Sequence, residues 1–176
     1  SDPVLLKYLD TIIQASSDIE HLISFTKEYQ DLGTSAPAWQ RIGSILNQPP
    51  IQNLAKDVRI ESELRTLEIY ADLMLEKVLY NLVDNSVRHG QNLTTIRLGY
   101  QRIGSDCLIT YEDDGGGVSD DEKEKIFERG FGKNTGMGLF LIREILSITG
   151  ISIQETGMYG IGVRFEMRVP AGKWRE

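Results

Sequence analysis

Three short stretches of the sequence carry groups that could bind a nucleotide. The first holds two amides, Asn81 and Asn85, four residues apart. The second is an acidic glycine turn that begins at Asp113, and the third is a glycine pair, Gly136 and Gly138, at the start of an apolar segment. Amide oxygens can bind a cation, a carboxylate can accept a hydrogen bond from an exocyclic amine, and free N–H groups at a helix start favour phosphate. In this order the three stretches predict a pocket for a magnesium nucleotide.

The two amides lie on the polar face of a predicted helix over residues 72–89. The opposite face is apolar and should pack on a sheet; it carries Leu75, Val78, Leu79, Leu82 and Ser86. The polar face has side chains at spacings of three and four, namely Lys77, Asn81, Asn85 and Arg88. A polar stripe is usually a solvated surface, and that interpretation is favoured for this helix taken alone. The later motifs reverse it.

The acidic turn over residues 113–117 follows a predicted strand. Its three glycines allow the backbone to approach a flat ligand without side-chain clashes. The alternatives are a flexible acidic loop or a calcium site, and a calcium loop needs alternating oxygen ligands and a closing Glu at its twelfth position. Counted from Asp113, the twelfth residue is Glu124, but Gly115 and Gly117 stand where ligands are needed. Calcium is therefore disfavoured.

The glycine-rich stretch over residues 130–139 precedes a predicted helix over residues 137–149. Backbone N–H groups and the helix dipole make phosphate binding sound there, and Lys133 adds a positive charge. A plain connector is the alternative. A Walker loop would need Ser or Thr after Gly-Lys, where this chain has Asn134, and a dinucleotide fingerprint would need a third glycine in place of Thr135. Both of these standard motifs fail.

The elements that position these motifs do not alternate regularly between helix and strand. Strands are expected over residues 58–64, 66–71, 94–103, 107–112, 151–155 and 163–169. Besides the two helices above, short helices are expected over residues 40–47 and 120–129. Residues 34–50 contain Pro37, Pro49 and Pro50 and should form a connection at a domain boundary. The pattern predicts an α+β fold, a two-layer α/β sandwich, and not a doubly wound sheet.

A long helix is predicted over residues 3–32, ended by Gly33. Its apolar positions recur as an a/d seam, at Leu5, Ile12, Ile19 and Thr26 and at Tyr8, Ala15, Leu22 and Tyr29. Because one helix cannot bury this stripe by itself, we expect a partner helix in a bundle or a dimer.

Composition narrows the class of protein. The 176 residues are 40% hydrophobic and carry a net charge of -7, which argues against a nucleic-acid partner because such binding depends on Lys and Arg. The single Cys107 permits no internal disulfide. No apolar run has the length of a membrane span, so the expected location is cytoplasmic, whether or not a parent protein is membrane-anchored.

The motifs, in this order, resemble the histidine-kinase branch of the Bergerat-fold ATPases, a group that also includes gyrase and a heat-shock chaperone. The resemblance covers residues 39–170 and implies a mixed sheet covered on one face by helices, with ATP and Mg²⁺ as ligands. It assigns Mg²⁺ to Asn85, the adenine amine to Asp113, and the shape of the pocket to Gly115 and Gly117. The other nucleotide-binding residues that it implies are Asn81, Arg88, His89, Lys133, Gly136, Met137, Gly138 and Leu139, while Phe127 and Phe131 resemble the F box.

Asn81 distinguishes the kinase branch from the hydrolytic relatives. Those relatives place Glu there as the base that activates water, and an amide cannot take up a proton. The resemblance therefore implies phosphoryl transfer in which Asn81, Asn85 and Arg88 serve catalysis. The acceptor would be a histidine on a helix of the same protein or its dimer mate, and a response regulator receiver domain would receive the phosphoryl group next.

The resemblance divides the chain into residues 1–33, the second helix of a dimerisation bundle, and residues 34–176, the ATP-binding catalytic domain. No acceptor-histidine motif occurs, so this chain alone should bind nucleotide without autophosphorylation; the parent protein should be a homodimer. Ser86 stands where the family usually has Ala, and Val163 stands where it commonly has Thr. Two rival functions are a degenerate regulatory module without catalysis and a true ATPase of the chaperone type, which Asn81 disfavours.

Overall fold

The computed structural model of this chain describes residues 3–132 and 136–176. Its helices are α1 (Pro3–Asp31), α2 (Ile42–Leu46), α3 (Pro49–Leu54), α4 (Leu75–His89) and α5 (Gly138–Ser147), with a 3-10 turn at Lys125–Phe127. Its strands are β1 (Ala38–Arg41), β2 (Arg59–Ser62), β3 (Glu68–Ala71), β4 (Thr95–Ile103), β5 (Asp106–Asp113), β6 (Ser152–Glu155), β7 (Arg164–Val169) and β8 (Trp174–Arg175).

The strands form two sheets. The larger sheet has the order β2-β4-β5-β7-β6, in which β2 runs parallel to β4 and the other neighbours are antiparallel. The connection from β2 to β4 contains α4, as a parallel pair requires a crossover segment. The smaller sheet has the order β1-β3-β8. This arrangement confirms the predicted mixed α/β architecture behind a long N-terminal helix.

Side-chain alternation on β5 decides which residues face the helices. Burial alternates along the whole strand, so Cys107, Ile109, Tyr111 and Asp113 point inward. Helix α4 buries its predicted apolar face, including Leu82 and Ser86, and shares the core with α5 and the inward side of the sheet. Asp113 therefore points toward α4 although it is charged.

Three sequence predictions differ from the structure, and one strand pairing was not predicted. The helix expected over residues 40–47 begins only at Ile42, because residues up to Arg41 pair with β3. The connection expected to extend through residues 49–50 is instead the first turn of α3, where proline's fixed φ suits a helix start. The helix expected over residues 120–129 reduces to one 3-10 turn, because only Phe127 is buried there and little packing supports a longer helix. The pairing of β3 with the short β1 and β8 was not expected.

Helix α1 leaves most of its apolar side chains exposed. The exposed set comprises Val4, Leu5, Leu6, Tyr8, Leu9, Ile12, Ile13, Ile19, Leu22, Ile23 and Tyr29. Near its end, Phe25 is buried and its ring centroid lies 6.3 Å from that of Phe140 on α5. Glu28 Oε1 lies 3.0 Å from Lys77 Nζ on α4. The end of α1 thus packs against both helices that carry the glycine and amide motifs. No helix among the described residues is long and apolar enough to cross a membrane.

Candidate nucleotide-binding site

Asp113 ends β5 with a buried side chain that three donors hold in place. Its Oδ1 accepts hydrogen bonds from the backbone N–H groups of Gly115 and Val163, each at 3.0 Å. Its Oδ2 accepts a hydrogen bond of 2.5 Å from the Ser86 hydroxyl on α4. The donors come from the glycine turn, the start of β7 and the amide helix, so the carboxylate lies where these three segments meet.

The Ser86 hydroxyl also lies 2.8 Å from the Tyr111 hydroxyl, and Tyr111 lies 3.1 Å from the carbonyl oxygen of Leu82. Tyr111 is fully buried. Burial raises the pKa of Tyr111 far above its ordinary value, the Ser86 hydrogen bond opposes this in part, and the Asp113 charge adds to it. The phenol therefore keeps its proton and remains a donor under ordinary conditions.

Two glycines of the turn allow neighbouring backbone segments to approach closely. A Cβ placed on Gly115 would lie 2.6 Å from the Cα of Gly90, just after α4. A Cβ placed on Gly117 would lie 2.7 Å from the carbonyl oxygen of Met158, and Gly117 has a φ of +71°. The sequence predicted close approach to a ligand, whereas the nearest groups in the structure are protein backbone.

Asp114 ties the turn to β4. Its carboxylate accepts hydrogen bonds from the Thr94 hydroxyl at 2.5 Å and from the Thr94 and Thr95 N–H groups at 2.8 and 3.0 Å. These bonds, the Thr94 hydroxyl first, lower the pKa of Asp114 to about 2. The carboxylate next to the buried Asp113 thus has a structural role that the sequence did not indicate.

The loop between β6 and β7 is fixed by another buried carboxylate. Glu155 Oε1 accepts hydrogen bonds from the N–H groups of Gly157 and Arg164, at 2.9 and 3.1 Å. Lys123 Nζ donates to the Gly157 carbonyl at 2.6 Å. These contacts hold the segment from which Val163 donates its N–H group to Asp113.

The predicted amide pair lies beside the start of α5. A Cβ placed on Gly138 would lie 3.6 Å from Asn81 Oδ1 and 3.9 Å from Asn85 Nδ2. Asn85 Nδ2 is buried and has no hydrogen-bond partner among the described residues. An unpaired buried donor costs about 1–3 kcal/mol, so its presence beside free N–H groups at a helix start indicates a place for a ligand oxygen.

The remaining predicted site residues lie at the end of α4 and around the start of α5, and they differ in burial and in hydrogen bonding. Arg88 Nε donates to Asp84 Oδ1 at 2.7 Å, one turn back on α4, and His89 is exposed. Gly136 has a φ of +58°, and its carbonyl accepts a hydrogen bond of 3.1 Å from the Gly130 N–H. Met137 caps α5, and Leu139 lies partly buried in its first turn. Lys133 lies outside the described residues.

Sequence reasoning missed Ser86, Tyr111 and Val163 as parts of this site. Ser86 was placed on the apolar face of its helix and noted as a replacement for Ala. Val163 was placed at the start of a strand and noted for its missing hydroxyl, although it is its N–H group that contacts Asp113. The position of Tyr111 in the sequence could have indicated that it lies near Asp113. It lies two residues before Asp113 in a strand that alternates, so both must face the same side of the sheet.

Residues 71–173 match the family described as histidine kinase-, DNA gyrase B- and HSP90-like ATPases. The chain belongs to this family. It is 30% identical over 122 residues to the sensor protein ChvG of Agrobacterium fabrum, covering 60% of this chain and 20% of that protein. It is 36% identical over 103 residues to the alginate biosynthesis sensor protein KinB of Pseudomonas aeruginosa, covering 56% and 17%.

Solved structures of this family have the same fold. Full-length ShkA, solved in complex with AMPPNP, matches with a TM-score of 0.70 and 22% identity over 95% of this chain and 39% of its own. The comparisons confirm the resemblance to the ATP-binding catalytic domains of sensor histidine kinases. The chain spans about a fifth of the length of the curated relatives that it matches.

The donor set is consistent with Mg²⁺ held jointly with phosphates. Among residues 3–132 and 136–176, no cluster of three His, Cys, Asp or Glu side chains could hold a metal ion by itself. Mg²⁺ commonly keeps only one or two protein ligands and takes its other ligands from water and phosphate. The side-chain oxygen of Asn85 is a ligand of the type that Mg²⁺ takes, so this residue fits such a site. The buried Asn85 atom that lacks a protein partner is the nitrogen, which can only donate, and it fits a phosphate oxygen beside the metal.

Proposed function

We propose that this chain binds ATP between α4, α5 and the turn after β5, and donates its γ-phosphoryl group to a histidine of the parent kinase. The observation that carries this proposal is the buried Nδ2 atom of Asn85. It lies beside the start of α5 and has no hydrogen-bond partner among the described residues. That atom and the free N–H groups of α5 offer donors to phosphate oxygens.

Asp113 would read the base. Its Oδ1 is occupied by two backbone donors, so Oδ2 is the oxygen available to the exocyclic amine of adenine. Gly115 and Gly117 keep the turn free of side chains beside it, and Val163 and Ser86 hold the carboxylate.

The phosphates would lie along the polar face of α4 and the start of α5. The N–H groups at Gly136, Met137, Gly138 and Leu139 would bind them, with the charges of Arg88 and Lys133 and the His89 ring nearby. Asn85 would be the protein ligand of Mg²⁺, which when bound would neutralise charge on the leaving phosphates.

Asn81 would limit ATP hydrolysis, because its side chain cannot act as a general base. An amide has no proton-accepting group of useful basicity, so water beside the γ-phosphate would not be activated. The bound ATP would persist until a histidine nitrogen attacks the γ-phosphorus, and the bond from that phosphorus to its bridging oxygen would break to release ADP. The protein chiefly positions the reacting groups.

The acceptor and partners lie beyond this chain. The exposed apolar stripe of α1 supports its role as the second helix of a dimerisation bundle, with residues 34–176 as the catalytic domain. The first helix of that bundle would carry the phosphorylated histidine, in the same protomer or its dimer mate. We propose a response regulator receiver domain as the next acceptor, and the cytoplasm as the location of these steps.

Calorimetric titration of the chain with ATP and Mg²⁺ tests the binding step. We expect saturable binding that Asp113→Asn weakens strongly, because the substitution keeps the shape but replaces one acceptor oxygen with a donor. With labelled ATP, this chain alone should form no phosphohistidine, whereas a longer parent protein with the acceptor helix should. Failure of the unchanged chain to bind ATP would contradict the proposal and favour a regulatory module.

A further inference from the structure

Three oxygens in the core form a continuous chain that ends in the base pocket. They are the Tyr111 hydroxyl on β5, the Ser86 hydroxyl on α4 and Asp113 Oδ2, separated by 2.8 and 2.5 Å. All three side chains are buried, and Ser86 is only 3% exposed. Two oxygens at such a distance must share a hydrogen bond, so one proton lies between the oxygens of each contact.

The hydrogen bonds that join these three oxygens can have only one donor-to-acceptor direction. A carboxylate can only accept, so the Ser86 hydroxyl must donate its single proton to Asp113. Ser86 then has no proton for Tyr111, and the 2.8 Å contact must be a donation from Tyr111 to Ser86. The Leu82 carbonyl, at 3.1 Å, is the more distant acceptor for the same phenol proton.

We propose that Ser86, supported by Tyr111, is a positioning residue that makes Asp113 selective for a base with an exocyclic amine. This inference rests on the proposed function and deepens it. Among the described residues Ser86 is the only donor to Oδ2, whereas Oδ1 is fixed by two backbone N–H groups. The Ser86 hydroxyl therefore aligns Oδ2, while the two backbone bonds hold Oδ1, and the three bonds together set the rotation of the carboxylate plane.

The number of lone pairs explains the selectivity. A carboxylate offers about four acceptor positions, and the three donors above occupy three of them. One position on Oδ2 remains, so the group accepts one N–H donor from a ligand. A base with a carbonyl in place of the amine would leave that position unpaired and would bring two acceptors together.

Replacing Ser86 with Ala would remove the hydroxyl and keep a small side chain at this buried position. An Ala there would leave Oδ2 held by no protein donor among the described residues. Only the two backbone bonds to Oδ1 would then oppose rotation about the Cβ–Cγ bond, so the acceptor for the amine would be less well aligned. The triphosphate contacts at α5 would be unaffected, because they involve other groups.

The test measures the affinities of two nucleotides for four proteins. The ligands are ATP and purine riboside triphosphate, which lacks only the amine; the proteins are the unchanged chain, Ser86→Ala, Tyr111→Phe and the double variant. We expect Ser86→Ala to weaken ATP about fivefold while changing the affinity for the amine-free nucleotide less than about twofold. Tyr111→Phe, which keeps the ring packed on Phe165, should weaken ATP about twofold.

The double variant tests whether Tyr111 influences Asp113 only through its hydrogen bond to Ser86. Because Tyr111 acts through Ser86, the double variant should bind ATP no more weakly than Ser86→Ala alone. Equal losses for both nucleotides in Ser86→Ala would overturn the inference while leaving the proposed function intact. Absence of ATP binding by the unchanged chain would overturn both. Circular dichroism and the melting temperature of each variant verify that it is folded.

Discussion

Gly138, the first residue of α5, faces Asn81 of α4 across a gap that a methyl group would partly fill. A Cβ on Gly138 would stand 3.6 Å from Asn81 Oδ1, an ordinary van der Waals distance, and no backbone atom of another segment lies closer. The gap is therefore not a requirement of folding. In the proposed function it is the space for phosphate.

Gly138→Ala should therefore separate stability from binding. Alanine is the better helix former by about 0.5–1 kcal/mol, so the melting temperature should stay or rise. The added methyl should weaken ATP at least about tenfold by displacing a phosphate oxygen. Gly99→Ala on β4 is the control, with a Cβ 3.4 Å from Thr110 Oγ1 and no part in the site. Full ATP affinity in Gly138→Ala would contradict the placement of the phosphates.

Asp84 Oδ1 accepts a hydrogen bond from Arg88 Nε at 2.7 Å, so in the proposed function Asp84 would compete with a bound phosphate for Arg88. Asp84→Asn should lower the free energy of unfolding by only about 0.3–0.5 kcal/mol, as for other exposed helical pairs. It should raise ATP affinity about two- to threefold at low ionic strength, and the gain should shrink in salt. The control is Glu61→Gln, which removes the Arg97 pair elsewhere on the sheet. A weaker ATP affinity in Asp84→Asn would show that Arg88 does not serve the nucleotide.

Asp114 makes stability depend on pH in a defined window. Its pKa of about 2 in the folded chain lies below the ordinary value of 3.8. The contribution is therefore complete above about pH 4 and is lost as the pH falls through 2. Asp114→Asn should cost about 1 kcal/mol at pH 6 and progressively less below pH 4, measured by urea unfolding. A cost that is the same at pH 6 and pH 2.5 would exclude this carboxylate as the source.

Phe25 anchors the end of α1 to the rest of the protein. Its ring stacks on Tyr29 at 5.8 Å and contacts Phe140 at 6.3 Å. Phe25→Ala should detach this end, so that amide hydrogens in residues 22–31 exchange faster while β4 and β5 keep their protection. Ile13→Ala is the matched control, because Ile13 is 66% exposed, lies outside the a/d seam and should leave this exchange unchanged. Loss of protection in β4 and β5 as well would mean that α1 stabilises the whole domain.

The sequence predicted those parts of the fold in which a local pattern decides the outcome. The spacing of apolar and polar residues located α4 and both of its faces, and alternation located the β4–β5 hairpin. The short strands β1 and β8 carry no such pattern. Trp174 pairs with Ile69 more than a hundred residues earlier, and a strand of two residues is too short to show a period.

The same distinction holds for the site. Asp113 and the amides were predicted because each lies in a recognisable motif, and their roles remain proposals. The hydrogen bond from Ser86 to Asp113 joins residues 27 positions apart. Its partner could be identified only once α4 was seen to cross the sheet at this register. The glycines of the turn were predicted to make room for a ligand, whereas Gly115 makes room for the backbone of Gly90. The local sequence does not indicate which distant backbone segment packs against a glycine.

The three donors to Asp113 have a consequence for the order of folding. Gly115 is only two residues from Asp113 and Ser86 is 27 residues away on α4, whereas Val163 is 50 residues away and reaches the carboxylate only when β5 has paired with β7. Local hairpins form before such distant pairs. An intermediate in which β5 and β7 are unpaired lacks the Val163 donor, so the proposed nucleotide site is incomplete until the sheet forms. ATP should then slow unfolding and leave the refolding rate unchanged.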